Sequence, residues 1–117
     1  MKQRLLIVDD EPGIVDMMAS YFSSQYEVLT AYCGNEALQK LARQPDLILL
    51  DINMPEMDGL TLLTKINEMR NPALKCIIVS AYGDMENIRT AMNHGAFDFA
   101  TKPIDMEDLE RTIEKAV

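Results

Sequence analysis

Asp9 and Asp10 stand side by side after the apolar run Leu5-Leu6-Ile7-Val8, and Asp51 follows a second run, Leu47-Ile48-Leu49-Leu50. Ser80 closes a third, Cys76-Ile77-Ile78-Val79. Lys102 precedes Pro103 just after the weaker run Ala96-Phe97-Asp98-Phe99-Ala100. Carboxylates brought together repel one another, so their proton affinities rise unless a cation sits among them. Mg²⁺ suits such a group, because it takes one or two carboxylates, several waters and usually a phosphate oxygen. A compact lysine ammonium and a serine hydroxyl at the same place would receive an anion. Each residue alone has an ordinary reading as a strand end, a helix cap, a turn serine or a surface lysine. All of them in one crevice would form a site for a divalent cation and a phosphate.

What must position them is an alternation of short apolar runs with amphipathic stretches. The runs above, together with Tyr26-Glu27-Val28-Leu29-Thr30, read as five strands, four of them with the continuous apolar or β-branched character of strands covered on both faces. Between them lie stripes at helical spacing. Ile14, Val15, Met18, Ala19 and Phe22 follow the start signal Asp10-Glu11-Pro12, and Ala37, Leu38, Leu41 and Ala42 end before Pro45. Leu60, Leu63, Ile66 and Met69 follow the cap candidate Asp58 and stop before Pro72. Ile88, Ala91 and Met92 follow Asp84 and end at His94-Gly95, and Met106, Leu109, Ile113 and Ala116 follow Asp105. Met18, Met69 and Met92 are expected to pack rather than to bind a metal. Five βα units in succession imply right-handed crossovers and a doubly wound α/β domain with a parallel sheet. In such sheets ligands bind beyond the carboxyl ends of the strands, where strand order reverses. With the order 2-1-3-4-5, that point falls between the first and third strands, and Asp9, Asp10 and Asp51 share it.

The 117 residues fit one domain, and 48% apolar with 26% charged residues is a globular composition. Nineteen acidic against 11 basic residues leave a formal net charge of -8, which opposes binding of this segment to nucleic acid or to anionic lipid. Cys33 and Cys76 form no CxxC pair and read as free thiols, with Cys76 buried. No apolar run reaches the length of a signal peptide core or a membrane span, so a cytoplasmic location is expected.

These residues carry a resemblance. Asp9-Asp10, the run Asp51-Ile52-Asn53-Met54-Pro55-Glu56-Met57-Asp58-Gly59, Ser80-Ala81, Phe99 and Lys102-Pro103 together resemble the receiver domain of the two-component response regulator family. The likeness extends over essentially the whole chain, in order. It implies a flavodoxin-like (βα)5 fold with strand order 2-1-3-4-5, spanning 1–117 as a single receiver domain.

The resemblance also implies roles. Asp51 would accept a phosphoryl group from a phosphohistidine. Asp10, Asp51 and the backbone carbonyl of Asn53 would hold Mg²⁺, with Asp9 assisting and Mn²⁺ able to substitute. Lys102, the Ser80 hydroxyl and the Ala81 N–H would contact phosphoryl oxygens, with the bond before Pro103 cis. Ser80 and Phe99 would be the switch, acting on the face of the fourth helix, fifth strand and fifth helix. Asn53 and Tyr82 would tune the lifetime of the phosphorylated state. Phe99 stands where the family often carries Tyr, and Ser80 where Thr is commoner. His94 is expected to be a helix-end residue and not a phosphodonor.

By the same likeness the partners would be a sensor histidine kinase or a histidine phosphotransfer protein, with a homodimer or an attached output domain. The chain would be a stand-alone regulator or the N-terminal part of a longer protein. The segments around Ser80 to Asp84 and Lys102 to Asp105 look most like receivers joined to output domains. The role is a signalling switch and not a turnover enzyme. An aspartyl phosphatase would usually carry a second Asp where Asn53 stands. A flavodoxin-like cofactor module would need a phosphate cradle where Asp9-Asp10-Glu11-Pro12-Gly13 would repel one.

Overall fold

The apolar runs pair as a parallel sheet, and alternation of side chains along each strand sends neighbouring residues into two separate cores. A computed structural model describes residues 2–53, 59–69, 71, 73–81 and 83–117. Its strands are β1 (Arg4–Val8), β2 (Glu27–Ala31), β3 (Leu47–Asp51), β4 (Lys75–Ala81) and β5 (Asp98–Lys102), ordered β2-β1-β3-β4-β5. Every adjacent pair is parallel. The helices are α1 (Pro12–Phe22), α2 (Gly34–Lys40), α3 (Gly59–Glu68), α4 (Met85–Asn93) and α5 (Met106–Ala116). The expected class, strand order and element sequence all hold.

Leu5, Ile7, Leu47, Leu49 and Ile77 face α1 and α5, where they meet Val15, Met18, Phe22, Leu109 and Ile113. Leu6, Val8, Ile48, Leu50 and Ile78 face α2, α3 and α4, against Ala37, Leu62, Leu63, Ile66 and Ala91. The central strands are therefore apolar on both faces, which is why their runs are continuous.

Several local expectations need correction. The fifth strand begins at Asp98 rather than Ala96. Ala96 still closes the end of α4 through its N–H to the Ala91 carbonyl, and pairing with β4 starts at Ile77 with Asp98. Lys102, expected to end the fifth strand, does hold its last position. The second helix is shorter than its stripe and passes into a 3₁₀ turn at Leu41–Arg43. Gln44 then takes a left-handed conformation (φ 55°) as the cap that ends this turn, with its N–H on the Leu41 carbonyl. Met18 is buried as expected, whereas Met69 and Met92 are exposed and contribute no core. Asp105 caps α5 through the N–H groups of Glu107 and Asp108. Asp84 sits at the start of α4, but its side chain makes no cap bond. The proposed cap Asp58 and the stop at Pro72 lie outside the described residues.

Candidate active site at the strand ends

Strands β1 and β3 deliver their terminal carboxylates by the same local device. The Glu11 N–H donates to Asp9 Oδ1 at 2.9 Å, and the Asn53 N–H donates to Asp51 Oδ1 at 2.9 Å. Each is a side chain folded onto the backbone two residues ahead, the usual turn habit of aspartate. One oxygen of each carboxylate is thereby tied down. The other oxygen of each faces Lys102 from β5, whose Nζ lies 3.3 Å from Asp9 Oδ2 and 3.4 Å from Asp51 Oδ2. Asp10 is exposed beside them, and one oxygen each from Asp9, Asp10 and Asp51 falls within a 4.8 Å group. Asp9, Asp10, Asp51 and Lys102 are thus brought together at the reversal of strand order.

Burial makes this arrangement unbalanced. Asp9 and Asp51 are 0% and 2% exposed. Burial pushes the Asp9 carboxyl up to about 6; the Glu11 N–H and Lys102 pull it down, and the neighbouring Asp51 charge adds to the rise. For Lys102, burial disfavours the charge, but the carboxylates of Asp51 and Asp9 prevail and hold the ammonium above its ordinary value. Asp9 Oδ2 has no hydrogen-bond partner, because Lys102 is close to it without the right angle. A buried carboxylate oxygen without a bond, next to two further carboxylates, fits a hard divalent cation bound by oxygen.

Ser80 is fully buried at the end of β4, and its hydroxyl donates to Asp84 Oδ2 at 3.1 Å. The Asn87 amide donates to the same oxygen at 3.0 Å. Asn87 foremost, then Ser80 and Asn53, hold the Asp84 carboxyl below the usual carboxylate value. The Asp84 carboxylate thus ties the Ser80 hydroxyl to the Asn87 side chain in the first turn of α4. Ala81, exposed, pairs with Lys102 in the β4–β5 register. Asn53 is exposed at the rim. Phe99 is 39% exposed on the edge strand, and the Lys102–Pro103 bond is cis. Tyr82 and Met54 to Asp58 lie outside the described residues.

Two participants escaped the sequence reading. Glu11 Oε1 accepts a hydrogen bond from Lys102 at 3.2 Å, and Asp84 engages Ser80. Both are acidic residues next to helix starts, and their type and place are fully accounted for by helix initiation. A third missed feature is Gly59, where a Cβ would lie 2.4 Å from the Ile52 Cα and 2.7 Å from the Asp51 carbonyl oxygen. The glycine lets the start of α3 approach the backbone at the end of β3. A groove of about 640 Å³, lined by Asn67, Leu74, Cys76 and Phe97 among others, opens at the opposite ends of the strands and contains none of these carboxylates.

The sequence and the fold have known counterparts. A family model for the response regulator receiver domain matches residues 5–114. The chain is 37% identical over 115 residues to the transcriptional regulatory protein GlrR of Escherichia coli K12, covering 97% of this chain and 26% of that protein. It is 38% identical over 118 residues to the regulatory protein AtoC of the same organism, covering 97% and 25%. The chain therefore spans about a quarter of the length of these curated relatives. Among solved structures, a CheY-like receiver domain protein from Methanospirillum hungatei JF-1 superposes with a TM-score of 0.90 at 35% identity, covering 98% of this chain and 93% of that one. NtrX from Brucella abortus superposes equally well, at 0.90 and 34% identity, over 99% of this chain and 27% of its own. With five parallel strands in the order β2-β1-β3-β4-β5 and the acidic crevice at their ends, the chain belongs to the response regulator receiver domain family.

Proposed function

We propose that this domain is a phosphorylation-dependent switch of a two-component phosphorelay, with Asp51 as the phosphoryl acceptor. The carrying observation is the disposition of Asp51: buried, one oxygen tied to the Asn53 N–H and the other 3.4 Å from the Lys102 ammonium. An Asp51 oxygen attacks the phosphorus of a phosphohistidine, forming a P–O bond as the P–N bond breaks. The electron pair leaves with the imidazole, which takes a proton from solvent. Phosphoryl transfer needs positioning and charge neutralisation more than covalent help. Lys102 supplies a fixed cation for a phosphoryl oxygen, and the Ser80 hydroxyl and Ala81 N–H supply donors. Asp10, Asp51 and the Asn53 carbonyl, with Asp9 assisting, would hold Mg²⁺, or Mn²⁺ in its place. Bound there, the metal supplies positive charge to the oxygens of the transferring group.

Switching follows from the demand for Ser80. To reach a phosphoryl oxygen, its hydroxyl must release Asp84, and the vacated space admits the Phe99 ring. That movement biases the α4–β5–α5 face between two arrangements. The reading makes a sensor histidine kinase or a histidine phosphotransfer protein the donor, in the cytoplasm. The readers of the face would be an attached output domain or a second copy. The longer relatives favour an output domain. Asn53 and Tyr82, two residues after Asp51 and Ser80 in sequence, are the positions that tune the lifetime. The domain turns over only its own phosphorylation and dephosphorylation.

The test is intact-mass spectrometry after incubation with a small phosphodonor and Mg²⁺. One phosphoryl group is expected on the parent chain and none on Asp51→Asn. Equal labelling of the two would overturn the assignment.

A further inference from the structure

Among the described residues Lys102 makes two hydrogen bonds, and the shorter one does not go to the carboxylates of the three-aspartate cluster. It goes to Glu11 Oε1 at 3.2 Å, against 3.4 Å to Asp51 Oδ2. Glu11 is not one of the clustered residues Asp9, Asp10 and Asp51. Its side chain is 60% exposed and makes no cap bond, although the residue occupies the position that starts α1. The backbone of Glu11 is already committed, with its N–H on Asp9 Oδ1 and its carbonyl accepting from Ile14 and Val15. The carboxylate is therefore free to swing on a flexible stem, unlike the two buried aspartates. Three carboxylates, those of Asp9, Glu11 and Asp51, contact the one ammonium, and with Asp10 beside them the crevice stays net negative even with a divalent cation bound.

We propose that Glu11 is a positioning residue that competes with an incoming phosphoryl group for the Lys102 ammonium and so biases the site against phosphodonors of high negative charge. A phosphoryl oxygen can take a Lys102 N–H only if Glu11 yields or shares it. The repulsion between Glu11 and the donor grows with the donor's charge, so a dianionic donor is penalised more than a monoanionic one. The inference rests on Asp51 being the acceptor.

Two small donors at pH near 7 separate the effects: acetyl phosphate, a dianion, and phosphoramidate, mostly a monoanion. Labelling of the full chain is followed at saturating Mg²⁺ for the parent, Glu11→Gln, Glu11→Asp and Glu114→Gln. Glu114 lies near Tyr26, away from the crevice, and controls for net charge. Glu11→Gln is expected to lower the half-saturating acetyl phosphate concentration about threefold to tenfold, with a smaller change for phosphoramidate and a nearly constant maximal rate. Glu11→Asp, which keeps the charge on a shorter stem, should fall between. Fluoroberyllate binding with Mg²⁺, followed by thermal shift without any turnover, should tighten by a similar factor in Glu11→Gln. Equal changes for both donors, no change, or the same change in Glu114→Gln would overturn the role of Glu11 while leaving Asp51 as acceptor. A parent chain that neither donor labels at Asp51 would overturn the acceptor assignment and this inference with it.

Discussion

Asp9 shows how burial sets the properties of a single residue at this site. Its carboxyl, lifted to about 6 foremost by burial, is fully enclosed and has one oxygen without a hydrogen bond. Between about pH 4 and pH 6 the folded state keeps a proton there that the unfolded chain has lost, so folding takes up a proton. Stability of the metal-free domain should therefore fall as pH rises through that window and level off above it, by an amount on the order of a few kcal/mol. Asp84, held low foremost by the Asn87 amide, acts in the opposite sense and only at lower pH, where its protonation would cost stability. Urea denaturation in the presence of chelator checks the first effect: the parent should lose stability between about pH 4 and 6 and little above that, and Asp9→Asn should lose less. Parallel losses in the two proteins would assign the dependence to another group. The positions of Asp9, Asp51 and Lys102 were legible in the sequence, because each follows an apolar run. The pairing of Lys102 with Glu11 and of Ser80 with Asp84 was not, because surface acids at helix starts are common for local reasons.

At the scale of elements, α3 meets the end of β3 closely at one residue. Gly59 permits that approach, since any Cβ there would run into the backbone of Ile52 and Asp51. Alanine is the better helix former by about 1 kcal/mol, but relief of a backbone clash requires the helix itself to move. Gly59→Ala is expected to destabilise the fold by about 1–3 kcal/mol. Gly13→Ala is a matched comparison, because a Cβ at Gly13 meets nothing within 4 Å, and it should be neutral or mildly stabilising. Thermal melts of both variants decide it: similar midpoints would remove close packing as the reason for Gly59. The element order was readable from periodicity, and so were most helix ends. The fifth strand was misplaced by two residues, since Ala96-Phe97 is apolar enough to look like a strand. The Ala96 N–H bonds instead to the Ala91 carbonyl at the exit of α4, and the Phe97 N–H to the Cys76 carbonyl of β4, just ahead of the paired register that begins at Asp98. Met69 and Met92 were misread because stripe spacing places a residue on a face without saying how far that face extends.

For the whole molecule, the crevice couples ligand binding to stability. Asp9, Asp10 and Asp51 repel one another in the folded state and separate on unfolding, so a cation that binds them stabilises only the folded form. Mg²⁺ at about a hundredfold excess over its Kd should add about 2.7 kcal/mol, seen as a rise in Tm that saturates with concentration. Asp10→Asn should weaken that rise. A midpoint unchanged across a millimolar-range titration would remove the metal from the proposed function. The net charge of -8 takes on a specific meaning here, because three acidic residues contact one lysine and Asp10 lies beside two of them, while the others are spread along the chain.

The sequence by itself determined the class of fold, the order of its elements and which strand ends carry chemistry. Those follow from periodicity, strand-end position and residue type, all local along the chain. Only the tertiary structure decided which oxygen of each aspartate is tied and which faces Lys102. It also decided that Glu11 shares that lysine, and that Asp84 accepts from both Ser80 and Asn87. Such choices depend on distances between residues as far apart as 91 positions, and on burial that excludes water from some partners and not others.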